Sequence, residues 1–449
     1  MSDRLQNMYK TIVDEELPPS ITMTFNFEDG PQEMHFEKVT WTVNIKGEGL
    51  VKRGLRYGEN PGQPSALYRL VNGNLSFGGV ETIKPGRGLA SNVELVQVGR
   101  HPGKINITDV DNGLNLLRYF DEPVAAILKH NNPCGAAIGK DIADAYHKAN
   151  RADRLAAFGG TVALNKALDE GLAEAIIANS PDVVVAPDYT EGALDALSAR
   201  GSLRVMRINE MGRLREWAGE IVVDFKSLID GGLILQTSYA PEARTLDDVK
   251  RLPLGYYKGR RTGNVLAEIE RKPTEKEYKD MWFGWLVQSV LSSNSVIYVK
   301  DGVTVGIGVG EQDRVGAAKI ARDKAYEKLT DVLCFDETGG LPFNVLDSGL
   351  RGEEISDKRM RELYESIDDP AVLKEELLER VRAENGGLKG STVSSDGLFP
   401  FMDGVVVGLR EGATAVIQPG GSVNDREVIE ACNHYGATMV FTGQRSFKH

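Results

Sequence analysis

The chain has 449 residues, 41% of them hydrophobic and 26% charged, and its 53 Lys and Arg against 65 Asp and Glu give a formal charge of −12. At about 150 residues per domain this length implies roughly three domains or two large ones, with the composition of an ordinary globular enzyme. Such acidity excludes the general positive field that holds nucleic acid, so anions are expected only at a local basic pocket, and no apolar run approaches the ~20 residues of a membrane span.

The polar, acidic start MSDRLQNMYKTIVDEELPP reads as neither a secretory signal nor a transit peptide. Ile21, Met23, Phe25 and Phe27 then alternate with Thr22, Thr24 and Asn26, which predicts a half-buried strand followed by a turn at Asp29-Gly30. Val39, Trp41, Val43 and Ile45 alternate again, so residues 1–50 are expected to form a small β extension. From residue 51 the pattern is α/β. VAAILKH (124–130) predicts a buried strand ending in the turn NNPCG, with a helix around DIADAYHKA. LNKALDEGLAEAIIAN (164–179) has the spacing of an amphipathic helix, and VVVAP after Asp182 that of another buried strand. This alternation predicts a layered sheet with helices on its faces.

A second half is expected from about residue 233. EKEYKDMWFGWLVQSVLSS (275–293) predicts a largely buried helix, and VIYVK-DG-VTVGIGVG (296–310) a hairpin turning at Asp301-Gly302, with a further helix after it. A charged helical insertion near 353–387 is interrupted at Pro370. ATAVIQPGGSVNDREVIEACNHYGATMVF then reads strand, Gly-rich turn, helix, strand, parallel to the unit around NNPCG. Two similar α/β subdomains are expected, 51–232 and 233–449.

Lys129 and His130 end a buried strand, where open α/β sheets place ligands. A neighbouring ammonium disfavours imidazolium and keeps a histidine able to accept a proton, and the ammonium can stabilise an oxyanion. From the local residues two readings stand open: a catalytic pair, or a snorkelling lysine beside a histidine bonded to its turn. Consecutive strand residues point to opposite faces, so both side chains reach one centre only if the strand breaks there. Cys134 superficially suggests half of a zinc-deaminase site, but Ala137 stands where a second ligand would, and no His-x-Glu lies upstream. With Cys134, Cys334 and Cys432 far apart, neither zinc nor a disulfide framework is expected, and the chain reads as a reduced, cytoplasmic protein. Gly-rich turns at 157–160, 306–310 and 419–422 let backbone approach a ligand, the last standing out because it joins an apolar strand to a helix. Arg56 and Arg445, taken singly, read as surface cations.

Together and in order, LRYGENPGQ, LKHNNPCGAAIG, AFGG, SSNSVIYVKDGVTVGIGVGEQDR, SSDGLFPFMDGV and IQPGGSVNDREVIEACNHYGATMVFTGQRSFKH resemble the transformylase part of the bifunctional AICAR transformylase/IMP cyclohydrolase family, from about residue 50 to the end. The resemblance implies two cytidine-deaminase-like three-layer α/β/α subdomains without zinc, a homodimer with active sites at the dimer interface, and formyl transfer from 10-formyltetrahydrofolate to the 5-amine of AICAR (5-aminoimidazole-4-carboxamide ribonucleotide), giving FAICAR. Matched residue by residue, His130 is the general base and Lys129 the transition-state stabiliser. Arg56, Tyr57, Gly159, Asp182, Asn294, Arg314 and Arg445 match nucleotide-holding positions, and Val315, Asp403, Gly420 and Gly421 positions near the folate.

The chain departs from the family pattern at Gly62, where a histidine is usual, at Leu398, where an aromatic contacts ligand, and at Ser446 within the terminal block; Glu311 and Asp313 add negative charge. With only about 50 residues ahead of the matched region, too few for an ordinary domain, the expectation is formylation without cyclisation of FAICAR to IMP, a separate cyclohydrolase doing the latter. The competing expectations are a non-catalytic nucleotide or folate sensor on the same scaffold, and a deaminase, which lacks its zinc ligands.

Overall fold

A computed structural model describes residues 17–45, 49–60, 63–80, 88–259 and 263–449. Chain contacts divide it into two units. One comprises the described residues up to Asn132 with Lys140–Ala143 and Ala157–Ala240; the other comprises Pro133–Gly139, Asp144–Ala156 and Pro241–His449.

In the first unit Ser20–Phe27 pairs antiparallel with Gly30–Lys38, which pairs with Tyr68–Gly73. Ile21, Met23 and Phe25 are half-buried and Thr22, Thr24 and Asn26 exposed, as the sequence predicts, but Phe27, expected on the same face, is exposed. The turn itself is Glu28-Asp29, Gly30 already belonging to the next strand. A second hairpin joins Trp41–Ile45 to Gly49–Arg53, and the buried Trp41 indole donates to the Val93 carbonyl at 3.0 Å. The main sheet runs Glu94–Gln97, Arg204–Arg207, Val183–Ala186, Thr161–Leu164, Val124–Lys129. Its three inner strands are parallel, while Val124–Lys129 runs antiparallel to Thr161–Leu164. Val183–Ala186 is a continuous apolar run and Thr161–Leu164 nearly so, both fully buried because both faces are covered, while Arg204–Arg207 carries an arginine at each end. Helix Lys104–Leu117 covers one face, and Gly113 permits the approach: a Cβ there would meet Ala163 Cβ at 2.8 Å.

Two local expectations are corrected here. The helix expected over 164–179 spans Glu170–Ala178. Leu164 instead closes a buried strand, and the Asp169 carboxylate accepts from Leu172 N at 2.9 Å, an N-cap that sets the start. NNPCG is not a five-residue turn. The chain reverses at His130 and Asn131, with φ of 56° and 60°, and strand Asn132–Ile138 follows at once, with Pro133 near its start where a missing N–H is tolerated.

In the second unit the sheet order is Thr438–Phe441, Ala415–Gln418, Thr392–Ser395, Val296–Lys300, Val303–Gly308, Asn132–Ile138. The first three are parallel, and Val296–Lys300 is antiparallel to Thr392–Ser395. Each unit therefore repeats one scheme: a strand, an antiparallel neighbour, then two strands parallel to that neighbour. Helix Glu275–Gln288, opened by a Thr274/Glu277 capping box, covers Thr392–Ser395 as Lys104–Leu117 covers Thr161–Leu164. Gly284 serves it as Gly113 serves the other: a Cβ there would meet Ser394 Cβ at 3.2 Å. The Asp301-Gly302 turn has positive φ at both residues, as a two-residue hairpin requires. Helix Arg314–Glu337 follows, and helices Phe343–Leu350 and Pro370–Ala383 close a small core of Cys334, Leu341, Leu346 and Leu377 against it. Among the described residues no helix is long and apolar enough to cross a membrane.

Candidate functional site

In the first unit the candidate residues gather along one rim. The strand breaks after Lys129. His130 is exposed, and its ring has no hydrogen-bond partner among the described residues. Two left-handed non-glycine residues in succession are costly, and buried polar groups hold them. Asp109 Oδ1 accepts from Asn131 N at 2.6 Å, and Asn112 Nδ2 donates to Asn131 O at 2.9 Å. Both come from helix Lys104–Leu117 and are buried, 5% and 4% exposed. Lys129 Nζ donates to Phe158 O at 2.8 Å, beside Gly159 with φ of 71°. Asp182 N donates to Gly160 O at 2.9 Å, so the Gly159 turn and the Asp182 turn are bonded neighbours. Arg56 donates to the Tyr57 hydroxyl at 2.5 Å and lies 4.4 Å from that ring's centroid. The segment is tied down by Arg56 N to Pro102 O at 3.0 Å and Lys104 N to Tyr57 O at 3.1 Å. His101, buried, binds the Gly54 carbonyl at 2.5 Å; burial holds its pKa below the usual imidazole range, with Arg56 and Arg204 adding to the effect.

This rim is the carboxyl end of Val124–Lys129 but the amino end of the three parallel strands, since Leu128 pairs with Thr161 and Val183 with both Thr161 and Arg204. Lys129 therefore lies at a carboxyl end, where open α/β sheets place ligands, whereas Gly159 and Asp182 lie at amino ends.

The second unit has a pocket at the carboxyl ends of its parallel strands, a cavity of about 610 Å³ lined by Asn294, Arg314, Leu398, Gly420, Arg445 and Phe447 among others. Arg314, buried at the first turn of its helix, bonds Asp396 and donates to Ser395 Oγ at 2.9 Å and Asn294 Oδ1 at 2.8 Å. The fully buried Asp396 also accepts from Ser293 Oγ at 2.6 Å and Ser295 N at 3.0 Å. The Arg314 charge is thus neutralised within the protein, and its guanidinium serves to fix Asn294. Arg445 is different: it is exposed, has no hydrogen-bond partner among the described residues, and lies 4.9 Å from the Phe447 ring centroid. Gly420 is required by contact, since a Cβ would meet the Phe441 ring at 2.7 Å. Its N–H goes to Gln418 Oε1 at 3.2 Å, and that of Gly421 to Asp425 Oδ2 at 2.7 Å. Val315 follows Arg314, and Asp403 is exposed on the first turn of helix Met402–Arg410, whose next residue, Gly404, is adjacent to Val315. Ser446 is buried, its N–H donating to Asp396 O at 2.7 Å. Gly62 lies outside the described residues.

The structure therefore gathers Lys129, His130, Gly159, Asp182, Arg56 and Tyr57 in one unit, and Asn294, Arg314, Arg445, Gly420 and their neighbours in the other. Reading the sequence missed Asp109, Asn112, Arg204 and Asp396. The NITDVDN stretch carried the signal for the first two, polar residues at helical spacing on a face that had to be buried.

Two frames of buried parallel strands, each with cations along one rim, define an α/β protein. The family model described as AICARFT/IMPCHase bienzyme matches residues 21–324, more than half of the chain. Among curated relatives, the bifunctional purine biosynthesis protein PurH of Magnetococcus marinus is 34% identical over 412 residues, covering 91% of this chain and 61% of the relative. Its counterpart in Ruegeria sp. is 35% identical over 404 residues, 89% of this chain and 60% of the relative, and that of Bacillus subtilis 30% over 400 residues, 89% and 59%. This chain belongs to the AICARFT/IMPCHase bienzyme family. It spans about six-tenths of the length of the curated relatives it matches.

Proposed function

We propose that the protein transfers a formyl group from 10-formyltetrahydrofolate to the 5-amine of AICAR, giving FAICAR and tetrahydrofolate, on two units that are both cytidine-deaminase-like. The observation that carries this reading is the broken end of the Val124–Lys129 strand. It offers an imidazole with no hydrogen-bond partner among the described residues and a lysine ammonium at consecutive positions, and the left-handed φ of His130 relieves the opposite-face geometry that a continued strand would impose. The AICAR amine is conjugated with an electron-poor ring and is a weak nucleophile. His130 takes its proton as nitrogen attacks the formyl carbon, and the intermediate collapses with cleavage of the formyl carbon–N10 bond as that proton passes to N10 of the departing tetrahydrofolate. Lys129 spends one N–H on Phe158 O and keeps two for the oxyanion of the tetrahedral intermediate.

Arg56 in the first unit and Arg445 in the second match nucleotide-holding positions of the family, and the Arg445 fork has no hydrogen-bond partner among the described residues and stays free to bind an anion. Tyr57, Gly159 and Asp182 would hold the rest of the nucleotide, and Asn294, oriented by Arg314, would bond to it. Val315, Asp403, Gly420 and Gly421 would lie along the folate. The glycines contribute close backbone approach, their N–H groups being already taken.

The test is folate absorbance on mixing the protein with AICAR and 10-formyltetrahydrofolate. Turnover dependent on both is expected. Tight binding of AICAR without turnover would replace the enzyme by a nucleotide sensor, and neither binding nor turnover would overturn the reading altogether.

A further inference from the structure

Arg204 opens the strand Arg204–Arg207 and is 2% exposed. Its Nη2 donates to Arg100 O at 2.6 Å and its Nη1 to Asp182 O at 3.3 Å, while its Nε is buried without a partner among the described residues. The nearest carboxylate is that of Asp182, 3.9 Å away and half-exposed. Arg56, Asp182, Tyr57, Arg100 and His101 face Arg204, and burial followed by the Arg56 charge pushes its pKa down to about 10.

The second unit supplies a comparison at the matching rim. There Arg271 donates to Gly436 O at 2.8 Å and Thr414 O at 2.6 Å, just ahead of two parallel strands. It is also matched by a carboxylate fork, Glu277, at 2.6 and 2.9 Å. Each arginine thus bonds the carbonyl just ahead of a parallel strand, Thr414 in one unit and Asp182 in the other, but Arg271 is neutralised while Arg204 is left with little counter-charge, between two residues assigned above to the nucleotide.

We propose that Arg204 is a positioning residue for nucleotide binding: it holds the Asp182 turn against the Arg100 segment and so fixes Asp182 opposite Arg56 and Tyr57. This rests on the function proposed above. A planar guanidinium reaches both carbonyls at once with a fixed angle between them, and an ammonium on a flexible stem does not reproduce that fork. Arg204 touches no reacting atom, so its loss acts on affinity for the nucleotide and leaves the formyl-transfer step and the folate alone.

The experiment compares Arg204→Met and Arg204→Lys with the wild-type chain, reading kcat and the KM for AICAR and for 10-formyltetrahydrofolate. Losing a charge-assisted bond predicts a rise of about tenfold or more in KM for AICAR in Arg204→Met, and a smaller rise in Arg204→Lys, which keeps the charge but not the fork. The expected kcat and folate KM stay within about threefold. An unchanged KM for AICAR in Arg204→Met, or a fall in kcat together with a rise in both KM values, overturns the proposal. If Arg204→Met does not fold, Arg204→Lys decides by the same criteria. Should the wild type bind AICAR without turnover, the calorimetric Kd replaces KM. A wild type that neither binds nor turns over AICAR defeats the proposed function instead.

Discussion

Replacing Asp109 by alanine tests whether a left-handed turn presents His130. An L-residue other than glycine in that conformation costs about 1–2 kcal/mol, somewhat less for asparagine, so His130 and Asn131 together cost about 2–3 kcal/mol. Against this stand the carboxylate bond from Asp109 to Asn131 N, worth about 1.5–3 kcal/mol, and the neutral bond from Asn112 to Asn131 O, worth about 1 kcal/mol. The two sides nearly balance, and Asp109 supplies most of the favourable side. Asp109→Ala should therefore destabilise the turn by about 1.5–3 kcal/mol and lower the fraction of molecules with a presented imidazole by about 10- to 100-fold. Initial rates of formyl transfer should fall by that factor at saturating substrates, and urea unfolding should show a loss of similar size. Asn131→Gly, which removes strain at φ of 60°, should spare stability. Rates within twofold of wild type for Asp109→Ala, alongside the expected loss of stability, would show that the turn does not govern His130.

His130→Ala should lower kcat by about 10²–10⁴ in the same assay, the usual contribution of a general base, and survival of activity within a few-fold would remove it from that role. Arg445→Ala should raise the KM for AICAR while moving stability by no more than about 0.5 kcal/mol, because its side chain is exposed and unbonded; an unchanged KM would place the phosphate elsewhere. Burial pushes the Glu277 carboxyl up, but the Arg271 fork and the Thr274 N–H outweigh it and hold the folded pKa at about 2, against 4.5 for the free group. A depressed carboxylate pKa contributes stability above the unfolded value that is lost as pH falls from about 4.5 toward 2. Glu277→Gln should flatten the acid limb of stability measured across that window, and an identical pH dependence in both proteins would refute the assignment.

The strands were legible where chemistry was local. VAAILK and VVVA are apolar runs bounded by turn residues, and Asp301-Gly302 has the residues a two-residue hairpin demands. The helix at 164–179 misled because Leu164 and Leu168 keep helical spacing while belonging to a strand and the loop after it, and Asp169 decides the start only once its carboxylate meets Leu172 N. At the candidate site, Lys129 and His130 were visible as a polar pair after an apolar run. Arg204 and Asp396 were not, because an arginine opening a strand and an aspartate after two serines look like solvent-facing residues until tertiary packing removes the water. Asp109 and Asn112 were hidden for the same reason.

The two frames share a strand scheme but not a working edge. The first unit gathers its polar side chains where its parallel strands begin, and the second where they finish. At the idle edge of the first, Asn165 is consumed by Val124 N and Glu122 O; at that of the second, Arg271 and Glu277 close on each other. Superposing one half on the other, strand upon strand, would lay each set of candidate residues over a margin of its counterpart whose polar groups bond to each other. Matching the halves residue by residue would thus pair candidate positions with internally bonded ones, and grafting one half's residues onto the other would not reproduce their arrangement.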